Sequence, residues 1–92
     1  MKVYMGDIGT EIVVDCGVDV SAAATPALKV KKPDSSTATW PATVVESNKL
    51  RHITVAGDLD QAGKYLIQPD VNLPTWDGLG ETVELTVYPA FA

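Results

Sequence analysis

Reactive side chains are scarce in this chain, which has one histidine, His52, one cysteine, Cys16, and a short acidic run at Asp58 and Asp60. A histidine does acid–base, nucleophile-activating or metal chemistry only beside partners within reach. No His-Glu-x-x-His, Cys-x-x-Cys or glycine-rich phosphate loop supplies such partners. His52 therefore reads as a strand histidine, its tip in water or bonded to a neighbour. Cys16 ends an alternating apolar run with no basic residue beside it, so it reads as a small core hydrophobe. Asp58 and Asp60, with Asp70 as a third oxygen donor, form the one grouping that could hold a hard cation. Capping of a turn accounts for them without one, and neither a metal nor a cofactor is expected. Lys29, Lys31 and Lys32 read as the solvated face of a strand running into a turn. This inventory predicts a protein that is not an enzyme.

The 92 residues are enough for one domain, 1–92, with one core, and 46% of them are apolar, as in a folded globular chain. A formal net charge of −5 argues against nucleic acid as a partner, because phosphate binding depends on clustered Lys and Arg. A lone cysteine excludes an intrachain disulfide. Met1 to Asp7 contains no apolar core of a signal peptide, and no stretch approaches the 18 apolar residues of a membrane span. Folding in a cytoplasm, with no membrane partner, is the expectation.

The elements that must carry any site are strands. The run Ala56 to Ile67 is turn-rich and ends in alternation: Gly57 and Gly63 suit positive φ, Asp58 and Asp60 can bond backbone two residues on, and Tyr65 opens a strand. An acidic corner, a glycine and a tyrosine at a strand start is the pattern of a tyrosine corner. Residues 2–5 read as a short strand. In residues 11–16, Ile12, Val14 and Cys16 oppose Glu11, Val13 and Asp15. Val18-Asp19-Val20 is strand-like, and the alanines after it allow one helical turn before Pro26. Leu28 and Val30 point inward in a strand over 27–32, which Pro33 and Asp34 turn.

Residues 37–45 alternate as one strand with Trp40 toward the core, and Pro41 places that strand at a sheet edge or a bulge. The strand from Leu50 to Val55 has apolar residues on both faces, so either set could face inward. Tyr65, Ile67 and Val71 look inward in a strand over 64–72, and Val83, Leu85 and Val87 share a face in 81–88. The segment 72–80 reads as a hairpin loop with Asp77-Gly78 as its turn. Seven or eight short strands at this spacing predict an all-β, antiparallel β-sandwich, with a small β-barrel as the other architecture.

A binding surface, if the chain has one, is expected at the loop from Leu73 to Leu79. There Leu73, Pro74, Trp76 and Leu79 are apolar in an exposed segment, and tryptophan is a common interface anchor. Trp76 folding back over the end of the core is the other reading. Phe91 in the tail is a second candidate anchor, and an unpaired edge strand is a usual route for adding a strand from a neighbour.

The chain resembles immunoglobulin-like domains, and among them the small domains of bacteriophage tail and baseplate proteins. The resemblance is carried by Val3-Tyr4-Met5-Gly6-Asp7-Ile8-Gly9-Thr10, Val30-Lys31-Lys32-Pro33-Asp34, Gly57-Asp58-Leu59-Asp60-Gln61-Ala62-Gly63-Lys64-Tyr65 and Gly80-Glu81-Thr82-Val83-Glu84-Leu85-Thr86-Val87. Ile67 stands where antibody-type domains have a cysteine, and the corner is one residue longer than usual, so the disulfide-bonded class is excluded. In the family this domain is a module of a longer chain. The resemblance implies an immunoglobulin-like sandwich and a non-enzymatic phage or prophage structural protein. It would be assembled in the host cytoplasm into the virion and would dock to other virion proteins or to itself. A soluble adhesion or recognition module for a host-surface ligand is the alternative.

Overall fold

The computed structural model describes residues 2–74 and 77–92, and these form an all-β sandwich. Its strands are β1 (Val3–Tyr4), β2 (Glu11–Asp15), β3 (Ala27–Lys31), β4 (Thr37–Pro41), β5 (Thr43–Val45), β6 (Lys49–Ile53), β7 (Gly63–Asn72), β8 (Asp77–Leu79) and β9 (Val83–Tyr88). One sheet runs β1-β9-β7-β3-β4, with β8 added along the far part of β7, and the other runs β2-β6-β5. Pairing is antiparallel except at β1, which runs parallel to β9 through Val3↔Val87 and Tyr4↔Tyr88.

Alternation sets the core. Leu28, Val30, Trp40, Tyr65, Ile67, Val71 and Val87 come from the larger sheet, Ile12, Val14 and Leu50 from the smaller, and all are buried. Val20 and Leu59 are buried from loops.

Among the described residues nine strands replace the seven or eight expected, for two local reasons. The alternating run 37–45 is divided at Ala42, where the chain passes from β4 in one sheet to β5 in the other. Pro41 has no donor to continue a ladder, and the Ala42 N–H turns to the Pro26 carbonyl at 3.3 Å. The 72–80 segment contributes β8, so Asp77-Gly78 lies in a strand opposite Asn72 and Val71 and does not form the turn. Val18–Val20 is not a strand: Val20 is buried and tied by its N–H to Ser47, while Val18 is exposed. The alanines after it form a turn and no helix.

In β6 and the two residues after it the structure selects Leu50, His52 and Thr54 for the interior and leaves Ile53 and Val55 exposed. Pairing of Ile12 with His52 and Val14 with Leu50 imposes this choice, since a one-residue slip would turn Arg51 inward beside Ile12 or Val14. Pro69, inside the central strand β7, sits where neither β9 nor β8 pairs with β7. Its carbonyl accepts the Gly80 N–H at 2.9 Å, so its missing donor falls on that same unpaired side.

Candidate functional site

The expected turn at Tyr65 is a tyrosine corner in its hydrogen bonding. The Tyr65 hydroxyl accepts the Gln61 N–H at 3.1 Å and donates to the Gln61 carbonyl at 3.2 Å. Gly57 and Gly63 both have positive φ there, 89° and 131°. Burial is the leading cause that pushes the Tyr65 phenol above its ordinary range. Asp58 differs from expectation: it reaches back to the Val55 N–H at 2.9 Å, not forward. Its same carboxylate oxygen lies 2.8 Å from Nε2 of His52.

His52 is 5% exposed, more buried than a strand histidine with its tip in water. Its Nδ1 is 2.7 Å from the Pro41 carbonyl, which can only accept, so this nitrogen carries a proton. The ring stacks on Trp40 with centroids 4.8 Å apart and planes at 18°. Both ring nitrogens are engaged, and the cluster ties β4, β6 and the corner together. The indole Nε1 of Trp40 is buried and has no hydrogen-bond partner among the described residues.

Asp60 accepts a hydrogen bond from Nζ of Lys32 at 2.8 Å, and Lys32 also reaches the Gly57 carbonyl at 3.2 Å. That hydrogen bond holds Asp60 below the usual carboxylate range and raises Lys32. The acidic corner is thus occupied by a lysine ammonium and a histidine. Asp70 lies opposite Ala27 and Leu79, far along β7 from the corner. Among the described residues no three or more His, Cys, Asp or Glu side chains converge as a metal site requires. Cys16 is half-buried; burial first, and the Asp15 charge second, push its thiol up, away from the thiolate a nucleophile needs. Lys29 and Lys31 are exposed on β3, beside Thr37, Thr39 and Gln68 in an open groove of about 560 Å³.

Of the sequence-predicted binding residues, Leu73, Pro74 and Leu79 lie toward one end of β7 and Phe91 beyond the other. Trp76 lies outside the described residues. Leu73 is half-buried and packs against the core, Pro74 is exposed, and Leu79 on β8 is 48% exposed. Phe91 is fully exposed beyond β9, where Tyr4 donates its hydroxyl hydrogen to the Ala92 carbonyl. Tyr88 precedes that tail at the Gly63 end of β7, and β8 pairs at the Asn72 end. Ten residues of β7 at about 3.3 Å each put roughly 30 Å between them.

Leu79 instead belongs to a different surface. It lines an open cleft of about 620 Å³ with Cys16, Val18, Pro69 and Val71, rimmed by Asp15 and Glu81. The cleft lies on the flank away from the β4–β5 junction. Along this flank β2 is a sheet edge, and β9 is paired on its outer side only at Val87 and Tyr88. Side chains of inward parity are accordingly left uncovered there. Burial along β9 falls from Val87, which is buried, through Leu85, half-buried, to Val83, which is 38% exposed. The expected inward face of β9 is therefore covered only at its end.

Sequence reasoning missed this flank because it is made by strands distant in the chain. Its one sequence signal is the outward set Glu11, Val13 and Asp15, with charges of the kind that guard an edge strand. No family model, curated protein or solved structure matches the chain.

Proposed function

We propose that this protein is a non-catalytic, immunoglobulin-like assembly module that acts by docking to other protein chains, as a structural part of a phage or prophage tail or baseplate. The observation that carries the docking reading is the uncovered flank between β2 and β8–β9. There Val18, 53% exposed, and Leu79, 48% exposed, line one cleft, and Val83 at the start of β9 is 38% exposed. Apolar residues gathered at an unclosed seam, and rimmed by charge, mark an interaction surface. The immunoglobulin-like part is supported by the two sheets, β1-β9-β7-β3-β4 and β2-β6-β5, and by the Tyr65 corner at the start of β7. The phage assignment is supported by the sequence resemblance alone.

Sedimentation of an induced host lysate, blotted for this chain, tests the proposal. The expected result is migration with the particle fractions. A small soluble species at the top of the gradient overturns the virion reading and favours a recognition module with a host-surface ligand.

A further inference from the structure

The two sheets present solvent faces of different chemistry. On the larger sheet the outward residues Lys29 and Lys31 of β3, Thr37 and Thr39 of β4, and Glu84 and Thr86 of β9 are exposed and polar, as on an ordinary wet sheet face. The smaller sheet differs. Val13 on β2, Ile53 at the end of β6 and Val55 two residues on point outward and are 44%, 39% and 58% exposed, and Val45 on β5 shares their face. Threonine at these positions would serve a strand as well without exposing aliphatic surface. Among these residues stand four charges that cancel. Glu11 and Arg51 are ion-paired at 2.8 Å, and Lys49 lies opposite Asp15 while holding Glu46 of the β5–β6 turn at 2.7 Å. Two acids and two bases on the strands sum to zero, so the formal excess of −5 resides outside these strand positions.

We propose that the outer face of β2, β6 and β5 packs against the same face of a second copy of this chain, as a two-fold symmetric contact of sheet on sheet. This surface is distinct from the cleft that carries the docking reading above, and the inference goes beyond that reading. A two-fold contact requires a surface that complements itself. With the axis along the strands and between β2 and β6, β2 of one copy lies over β6 of the other. The acidic column of Glu11 and Asp15 then meets the basic column of Arg51 and Lys49, twice, with Val13 and Ile53 of both copies among them. Charge selects this occupant and this face. A strongly basic or acidic partner finds its counter-charges here already paired. Contact between copies through the larger sheet would set Lys29 and Lys31 against their own counterparts, and like charges brought together oppose association. Strands of three to five residues, at about 3.3 Å per residue and about 4.8 Å between strands, offer on the order of 500 Å² per copy. That is less than the ~800 Å² of a standard interface, so the contact forms where copies are concentrated side by side.

The test is sedimentation equilibrium of the purified full chain from micromolar to millimolar concentration, with its amide shifts followed on dilution. The expected result is an apparent mass that rises toward twice the monomer's, with dilution shifts at Val13, Arg51, Ile53 and Val55. Val13→Thr with Ile53→Thr keeps strand-forming residues at exposed positions, so this variant should fold and self-associate about tenfold more weakly. Arg51→Glu sets acid against the acidic column and should abolish the dimer, whereas Lys29→Glu with Lys31→Glu on the other sheet should leave it unchanged. A single monomeric species at millimolar concentration, an unchanged dimer in the folded threonine variant, or dilution shifts confined to Val18 and Leu79 overturns the proposal. A monomeric wild type that enters particles while the threonine variant does not assigns the face to a different chain and overturns the second copy. The docking reading is tested separately, by the lysate gradient. A monomer that still travels with particles removes this contact and leaves docking standing, and a dimer that stays out of particles supports the contact and overturns the virion reading.

Discussion

At the residue scale, the fold is pinned by polar groups that satisfy one another where the two sheets meet. Tyr65 is buried as a ring and bonded as a hydroxyl, so its two bonds to Gln61 fix where β7 begins. Tyr65→Phe keeps the ring and leaves the Gln61 N–H and C=O without that partner. The expected cost is about 1–2 kcal/mol in urea unfolding, with an unchanged m-value. Asp58 accepts the Val55 N–H and lies 2.8 Å from Nε2 of the His52 ring. Asp58→Ala strands both beside a buried ring, and a loss of about 1–3 kcal/mol is expected by the same measurement. The stacked rings of His52 and Trp40 join β6 to β4.

At the element scale, close approaches explain two glycines. Gly63 opens β7 at φ 131°, and a Cβ there would lie 2.9 Å from Cγ of Pro33 in the β3–β4 turn. Gly63→Ala thus combines backbone strain with a clash, and a destabilisation of about 1–3 kcal/mol is expected in thermal unfolding. Gly80 passes over Pro69, where a Cβ would meet Cγ at 2.6 Å. Gly80→Ala should push the chain off β7, weaken the 2.9 Å bond from Gly80 N–H to Pro69 and reshape the cleft. The readout is faster amide exchange at Gly80, with β3 and β6 unchanged. The strands bordering the cleft were the least legible in the sequence. Alternation in β9 correctly set Val83, Leu85 and Val87 on one face, but whether a partner strand covers that face is not a property of β9.

At the scale of the whole molecule, electrostatics acts mainly through local pairs. Hydrogen bonds from Ser21 to Asp19, from Ser36 to Asp34, from Lys49 to Glu46 and from Lys32 to Asp60 hold these carboxyls below their ordinary values. A depressed carboxyl contributes stability above its unfolded pKa and loses it as pH falls through the folded one. Stability should therefore be level above the ordinary Asp and Glu values of 3.8 and 4.5 and decline below them in an acid titration followed by circular dichroism. All four groups are exposed, so each contribution is small. The same molecule leaves one flank unclosed, and the proposed docking function rests on that asymmetry between a finished β4–β5 side and an unfinished β2–β9 side.

By itself the sequence determined the all-β character, most turns and the inward sets of β2, β3 and β7, because period-two alternation and turn chemistry are local. The corner is a case in point, since Gly57, Gly63 and Tyr65 lie within nine residues and act on one another. Only the tertiary structure decided the facing of β6, where apolar residues occupy both parities and pairing with β2 chose His52 for the interior. It alone divided 37–45 between two sheets, joined His52 to Asp58 and made β2 an edge. Each of these depends on which strand lies beside which, and strand neighbours are set by contacts between residues far apart in the chain.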